Sequence, residues 1–164
     1  MNKAFVFDFD DTLVTTDCKV YVNRGNERLR GLSPAEYNDH NLQEGENYDY
    51  SEFRCGKKIS DACETYLVGL AKEVHDEEHD VYILTARSEA CVVPIKQFLL
   101  SRDIKPKFVF CVGDTEGAIH EEKRKILESL IQDYDKIYFY DDNKGNIDSC
   151  PDSPKIRKYQ VRID

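Results

Sequence analysis

Four short apolar runs, at residues 4–8, 81–84, 108–112 and 137–140, are too brief for helices. They are rich in Val, Ile, Phe and Tyr, and so predict strands of a buried sheet. Longer amphipathic stretches separate them. Ala62, Cys63, Tyr66, Leu67, Leu70 and Val74 recur at helical spacing, which predicts one helix over 59–74. Further helices are expected at 88–102 and 119–134, the latter with Ile126, Leu127, Leu130, Ile131 and Tyr134 on one face, and a last strand around 156–163. Strands alternating with helices predict an α/β three-layer sandwich with a mainly parallel, Rossmann-like sheet. Residues 19–32 read as a hairpin turning at Arg24-Gly25-Asn26, and Ser33-Pro34-Ala35-Glu36 as a capped helix start. Residues 39–51 lack a period and read as an irregular excursion. A single domain over 1–164 with an enlarged flap at about 15–58 is expected.

The polar residues that end these strands carry the chemistry. Asp8, Asp10 and Asp11 follow the first apolar run, where clustered like charges cost free energy unless a cation sits among them. Parallel α/β sheets gather groups from the carboxyl ends of their strands into one crevice. Thr85 and Arg87 follow the second run, and Asp141 and Asp142 the fourth. Lys123 shares a helix face with Leu127 and Leu130 at the end near the crevice, whereas Lys125 lies on the outer face with Ser129 and Gln132. This set suits phosphoryl transfer to a carboxylate nucleophile. One Asp attacks, a second moves the proton, and a hydroxyl and an ammonium hold the phosphoryl oxygens. Mg²⁺ suits the all-oxygen site. Arg87 is left between binding substrate phosphate and pairing with an acid of the excursion.

A net charge of −9 argues against a broadly basic nucleic-acid face, though Lys155, Arg157, Lys158 and Arg162 offer a local patch. The six cysteines have no zinc spacing and no Cys-x-x-Cys pair. No export signal or membrane-length apolar run is evident, so reduced thiols and a cytoplasmic location are expected. His75-Asp76-Glu77-Glu78-His79 matches a zinc-peptidase pattern, but its polar run predicts a solvated turn. Gly113-Asp114 falls out of order for a metal motif, which leaves Asp114 for the crevice rim.

Taken together, D8-F-D10-D-T12-L, Thr85, Lys123 and the Asp141-Asp142 pair resemble the four motifs of the haloacid dehalogenase (HAD) superfamily, in order. The resemblance spans residues 4 to about 148 and implies an Mg²⁺-dependent phosphatase, a hydrolase working through an aspartyl-phosphate. It makes Asp8 the nucleophile and Asp10 the general acid/base. Thr12 supports the loop on the substrate side, and Thr85 and Lys123 bind the phosphoryl group. The metal falls to Asp8, the Asp10 carbonyl and an acid of the 141–142 pair, Asp142 favoured. The resemblance leaves no room for a large helical cap.

T-D-C-K-V-Y-V, L-S-P-A-E-Y-N and Y-D-Y-S-E-F further resemble small dehalogenase-like proteins of tailed bacteriophages. These are similar to the phosphatase half of polynucleotide kinase-phosphatase. That implies a nucleotidase or a polynucleotide 3′-phosphatase, in the host cytoplasm if phage-encoded. The expected partner is thus a phosphorylated small molecule or a nucleic-acid end, with no membrane and no obligate protein partner. The alternatives are a catalytically silent Mg²⁺-binding interaction module and a receiver-type phosphoacceptor switch.

Overall fold

The computed structural model describes residues 1–163. A five-stranded parallel sheet has the order β10-β9-β1-β7-β8, formed by β1 (Lys3–Phe7), β7 (Asp80–Thr85), β8 (Phe108–Cys111), β9 (Lys136–Asp141) and β10 (Ile156–Gln160). β1 alternates with period two. Phe5 and Phe7 join one core with the helices α3 (Tyr66–Asp76) and α4 (Val92–Leu100), while Ala4 and Val6 face a second core under α5 (Ile119–Ile131). A helical layer on each face is what lets an all-parallel sheet bury both sides. No helix among the described residues is long and apolar enough to cross a membrane.

The chain leaves β1 toward β7 and β8, then returns to place β9 on the other side of β1. The connections on either side of that switch diverge, opening a crevice at the carboxyl ends of β1 and β9. The rim is held closely at one point. Gly113 donates its amide to the Arg87 carbonyl at 3.0 Å, and a Cβ there would overlap the Ala86 carbonyl oxygen. Gly113→Ala is therefore expected to cost about 1–3 kcal/mol as the two strand tips are forced apart. Thermal unfolding measures this directly.

The flap between β1 and α3 is more ordered than its sequence suggests. The hairpin forms as expected from β3 (Val20–Arg24) and β4 (Glu27–Leu32), with Gly25 at φ +60° in the turn. The helix α1 (Pro34–Asp39) carries the expected capping box, Ser33 accepting from the Glu36 amide and Glu36 from the Ser33 amide. The excursion at 39–51, expected to be irregular, contains β5 (Glu46–Asp49), which pairs with β3 to complete a three-stranded antiparallel sheet.

The single helix expected over 59–74 is also corrected. It divides into α2 (Gly56–Ser60), β6 (Cys63–Glu64) and α3. Thr65 caps α3 by accepting from the Leu67 amide, and its own amide donates to the Leu13 carbonyl. That contact pulls residues 63–64 into a ladder with β2 (Val14–Thr15) and leaves Tyr66 at 70% exposure, off the apolar face.

Candidate active site

Asp8 follows β1 directly, and its amide continues the ladder by donating to the Tyr140 carbonyl at 2.9 Å. Beyond it the chain turns tightly. The Phe9 carbonyl accepts from the amides of Thr12, Leu13 and Val14, and Asp11 adopts φ +57°. This loop turns Asp8 and Asp10 into a cavity of about 540 Å³, which Thr85, Lys123 and Asp142 also line.

Lys123 is 1% exposed and lies between two acids, 3.2 Å from the Asp8 carboxylate and 2.7 Å from that of Asp141. Burial works to lower its pKa, but Asp141 and Asp8 outweigh it and hold the ammonium charged. Lys125 instead points outward and pairs with Glu122. Asp141 is enclosed. It accepts from Lys123, from the Asn146 amide group and from the Asn143 backbone amide. Asp142 is half-buried and accepts from the Thr12 hydroxyl at 3.4 Å.

Oxygens of Asp8, Asp141 and Asp142 all lie within 4.8 Å of one another. Burial, then the neighbouring Asp141, pushes the Asp8 carboxyl well above its usual range. Burial likewise raises Asp142, to about 6. Ionised carboxylates crowded to this distance repel one another unless a proton or a cation lies among them. The donor set therefore fits a hard divalent ion held by Asp8 and Asp142, whereas the Asp141 oxygens already have protein donors.

Asp10 is turned away from that cluster. Arg87, 3% exposed, grips it through two parallel hydrogen bonds of 2.8 Å each. The same guanidinium donates to the Phe53 carbonyl at 2.8 Å and touches the thiols of Cys18 and Cys91. Burial disfavours its charge, but the Asp10 pair raises its pKa further. Of the two roles left open for Arg87, pairing with an acid of the excursion is corrected. The acid is Asp10 of the loop, and Arg87 reaches the flap through a backbone carbonyl.

Thr12 is fully buried, with its hydroxyl on Asp142 and its carbonyl accepting from the Thr65 hydroxyl, so it braces the loop from beneath. Thr85, 1% exposed at the tip of β7, accepts from the Arg87 amide at 3.2 Å. Asp114, expected at the crevice rim, instead caps the turn at 89–91 through Ser88 and the Glu89 amide. His75 ends α3 and accepts from the Lys105 amide, while His79 lies beyond the turn against Phe5 and Glu77; no metal cluster forms there among the described residues.

Sequence reasoning missed Asn143 and Asn146. Both line the cavity, where Asn143 caps the short helix α6 (Lys144–Asp148) and Asn146 orients Asp141. The Asn at the start of a helix after a strand was the available signal.

No family model and no curated protein sequence matches the chain. Among solved structures, a chain of the Pnkp1/Rnl/Hen1 complex aligns with 99% of this chain at 17% identity and a TM-score of 0.53; this chain spans 46% of it. A HAD-family enzyme from Bacteroides thetaiotaomicron, in complex with magnesium and inorganic phosphate, aligns with 97% of this chain and 93% of its own, at 15% identity and a TM-score of 0.53. An Asp-to-Ala mutant of that enzyme gives the same TM-score at 14% identity, covering 98% of this chain and 94% of its own. The protein has a haloacid dehalogenase-like fold. It carries an enlarged flap after β1 and no large cap domain.

Proposed function

We propose that the protein is a Mg²⁺-dependent phosphomonoesterase working through an aspartyl-phosphate on Asp8, with a nucleotide or the 3′-phosphate of a polynucleotide end as substrate. The observation that carries this reading is the position of Asp8 at the switch between β1 and β9. It lies beside a buried, charge-held Lys123 and within reach of Asp142, all in one cavity. The magnesium and phosphate of the Bacteroides enzyme, and the likeness to a chain of the Pnkp1/Rnl/Hen1 complex, support it.

In this reading an Asp8 carboxylate oxygen attacks phosphorus, and the ester oxygen departs with a proton from Asp10. Asp10 then takes a proton from water, the water oxygen attacks phosphorus, and the Asp8 carboxylate leaves as phosphate is released. At rest both Asp10 oxygens accept from Arg87, the arrangement of a base set to activate water. Before the first step one Asp10 oxygen leaves the clamp and takes a proton from solvent water, which it then delivers to the leaving oxygen. Lys123 and the Thr85 hydroxyl hold the phosphoryl oxygens as charge develops. Mg²⁺ would neutralise the carboxylates and the incoming phosphate, with the Asp8 carboxylate, the Asp10 carbonyl and Asp142 as its protein ligands.

Hydrolysis of an aryl phosphate with and without Mg²⁺ is the direct test. A folded wild type that is inactive toward aryl phosphates and nucleotides alike would favour the silent binding module. The acid cluster gives a second test. One ammonium among three crowded carboxylates leaves uncompensated repulsion in the metal-free protein. Asp142→Asn is therefore expected to raise the metal-free Tm while abolishing the Tm rise that Mg²⁺ gives the wild type. A variant that keeps the Mg²⁺ response would remove Asp142 from the metal site.

A further inference from the structure

The cavity has two walls of opposite character. The sheet wall carries the acids, and its cations are already engaged, Arg87 by Asp10 and Lys123 by Asp8 and Asp141. The flap wall carries Pro34, Tyr37, Tyr50, Phe53 and Arg54, and no carboxylate. Arg54 is exposed and, among the described residues, makes no ion pair. Asp114, which feels its charge, is already bound by Ser88 and the Glu89 amide. Among the described residues Arg54 is thus the one full cation of the cavity without an acidic partner, in a chain of net charge −9.

The aromatic part of this wall is rigid without being buried. The hydroxyls of Tyr37 and Tyr50 are joined at 2.8 Å, and their rings meet edge to face at 5.7 Å. Tyr37 is further braced by the Tyr48 ring at 4.9 Å. α1, which carries Tyr37, buries no residue, and Tyr50 remains 39% exposed. These rings do not fill a core. Both line the cavity and are held in place by one another, so that meeting a planar group there costs little further side-chain entropy.

We propose that the flap wall is the leaving-group subsite: Tyr50 and Tyr37 take the base of a nucleotide, and Arg54 takes a second phosphate that is not hydrolysed. Aromatic stacking beside an unpaired guanidinium is the chemistry that recognises a base and its neighbouring phosphate. The inference rests on the phosphatase reading of Asp8 for the orientation of the substrate. It assigns Arg54 as the residue that separates substrates with two phosphates from those with one. The second phosphate has two sources, the 5′-phosphate of a nucleoside 3′,5′-bisphosphate or the phosphodiester of an oligonucleotide with a 3′-phosphate.

Binding to the Asp8→Asn protein with Mg²⁺ present avoids turnover. Its probes are adenosine 3′-monophosphate, adenosine 3′,5′-bisphosphate and a 3′-phosphorylated dinucleotide. The bisphosphate is expected to bind at least about tenfold more tightly than the monophosphate, and adding Arg54→Ala to reduce that ratio to about twofold or less. Tyr50→Ala should weaken both mononucleotides, and Tyr50→Phe should restore them. Equal affinities for the mono- and bisphosphate, or a ratio that survives Arg54→Ala, would overturn the proposal. A dinucleotide that binds more tightly than the bisphosphate identifies a polynucleotide end as the source; parity or the reverse identifies a free nucleotide. Arg54-dependent binding by a wild type that hydrolyses no phosphate ester would sink the catalytic reading while the subsite stands.

Discussion

Replacing Asp8 by Asn is expected to lower Mg²⁺-dependent aryl phosphate hydrolysis by at least about a thousandfold, since the proposed nucleophile is lost and two of the nearby acids are already engaged. Asp10 is held by Arg87 on both oxygens, and Asp141 is enclosed by Lys123, Asn143 and Asn146. The asparagine side chain keeps the size of the original and removes one charge from a crowded cluster, so the variant should fold and its Tm should not fall. Rapid-quench labelling with a phosphorylated substrate would trap the aspartyl-phosphate in wild type and none in the variant. Activity that survives in Asp8→Asn would show that another group attacks phosphorus.

Arg87→Ala should have the largest combined effect on stability and activity. The guanidinium, itself buried, joins the loop after β1 at the part-exposed Asp10 to the flap at the Phe53 carbonyl. Its removal leaves the Asp10 carboxylate without its donor, and the Phe53 carbonyl with the Cys91 thiol alone. Breaking a buried pair from one side costs about 3–5 kcal/mol, which for a chain of this size lowers Tm by roughly 10 °C. At a temperature where the variant remains folded, kcat is expected to fall about a hundredfold, because Asp10, the proposed acid/base, loses the clamp that positions it. Arg87→Lys should recover little of either loss, since an ammonium cannot reproduce two parallel bonds to Asp10 and a third to the carbonyl. Full rescue by lysine would mean that only the charge matters.

Where the fold was legible in the sequence, one local rule governed the segment. The apolar period of β1 and the acids after it required no knowledge of distant residues. The phase of α5 was enough to separate Lys123 from Lys125, because three- and four-residue spacings place a side chain on a face before any partner is known. The capping box at Ser33 and the Gly25 turn are likewise contacts between near neighbours. The errors arose where distant contacts prevailed. Helical spacing continues through residues 59–74, yet the contact from Thr65 to Leu13 breaks it, and no local pattern encodes that bond. β5 has little apolar alternation of its own and exists because β3 offers it an edge.

The site divides in the same way. The parallel α/β scaffold, the acids at the tips of β1 and β9, and the lysine turned toward them were all readable from the chain alone, since each depends on periodicity within a single element. The folded arrangement was needed to show that Arg87 clamps Asp10, that Thr12 lies beneath the loop, that Asp142 is the free acid of its pair, and that Arg54 faces the cavity unpaired. Arg87 and Asp10 are 77 residues apart, and which acid a guanidinium meets depends on how the strand tips converge. Charge pairing acts through space, so it becomes readable only when the chain has been closed.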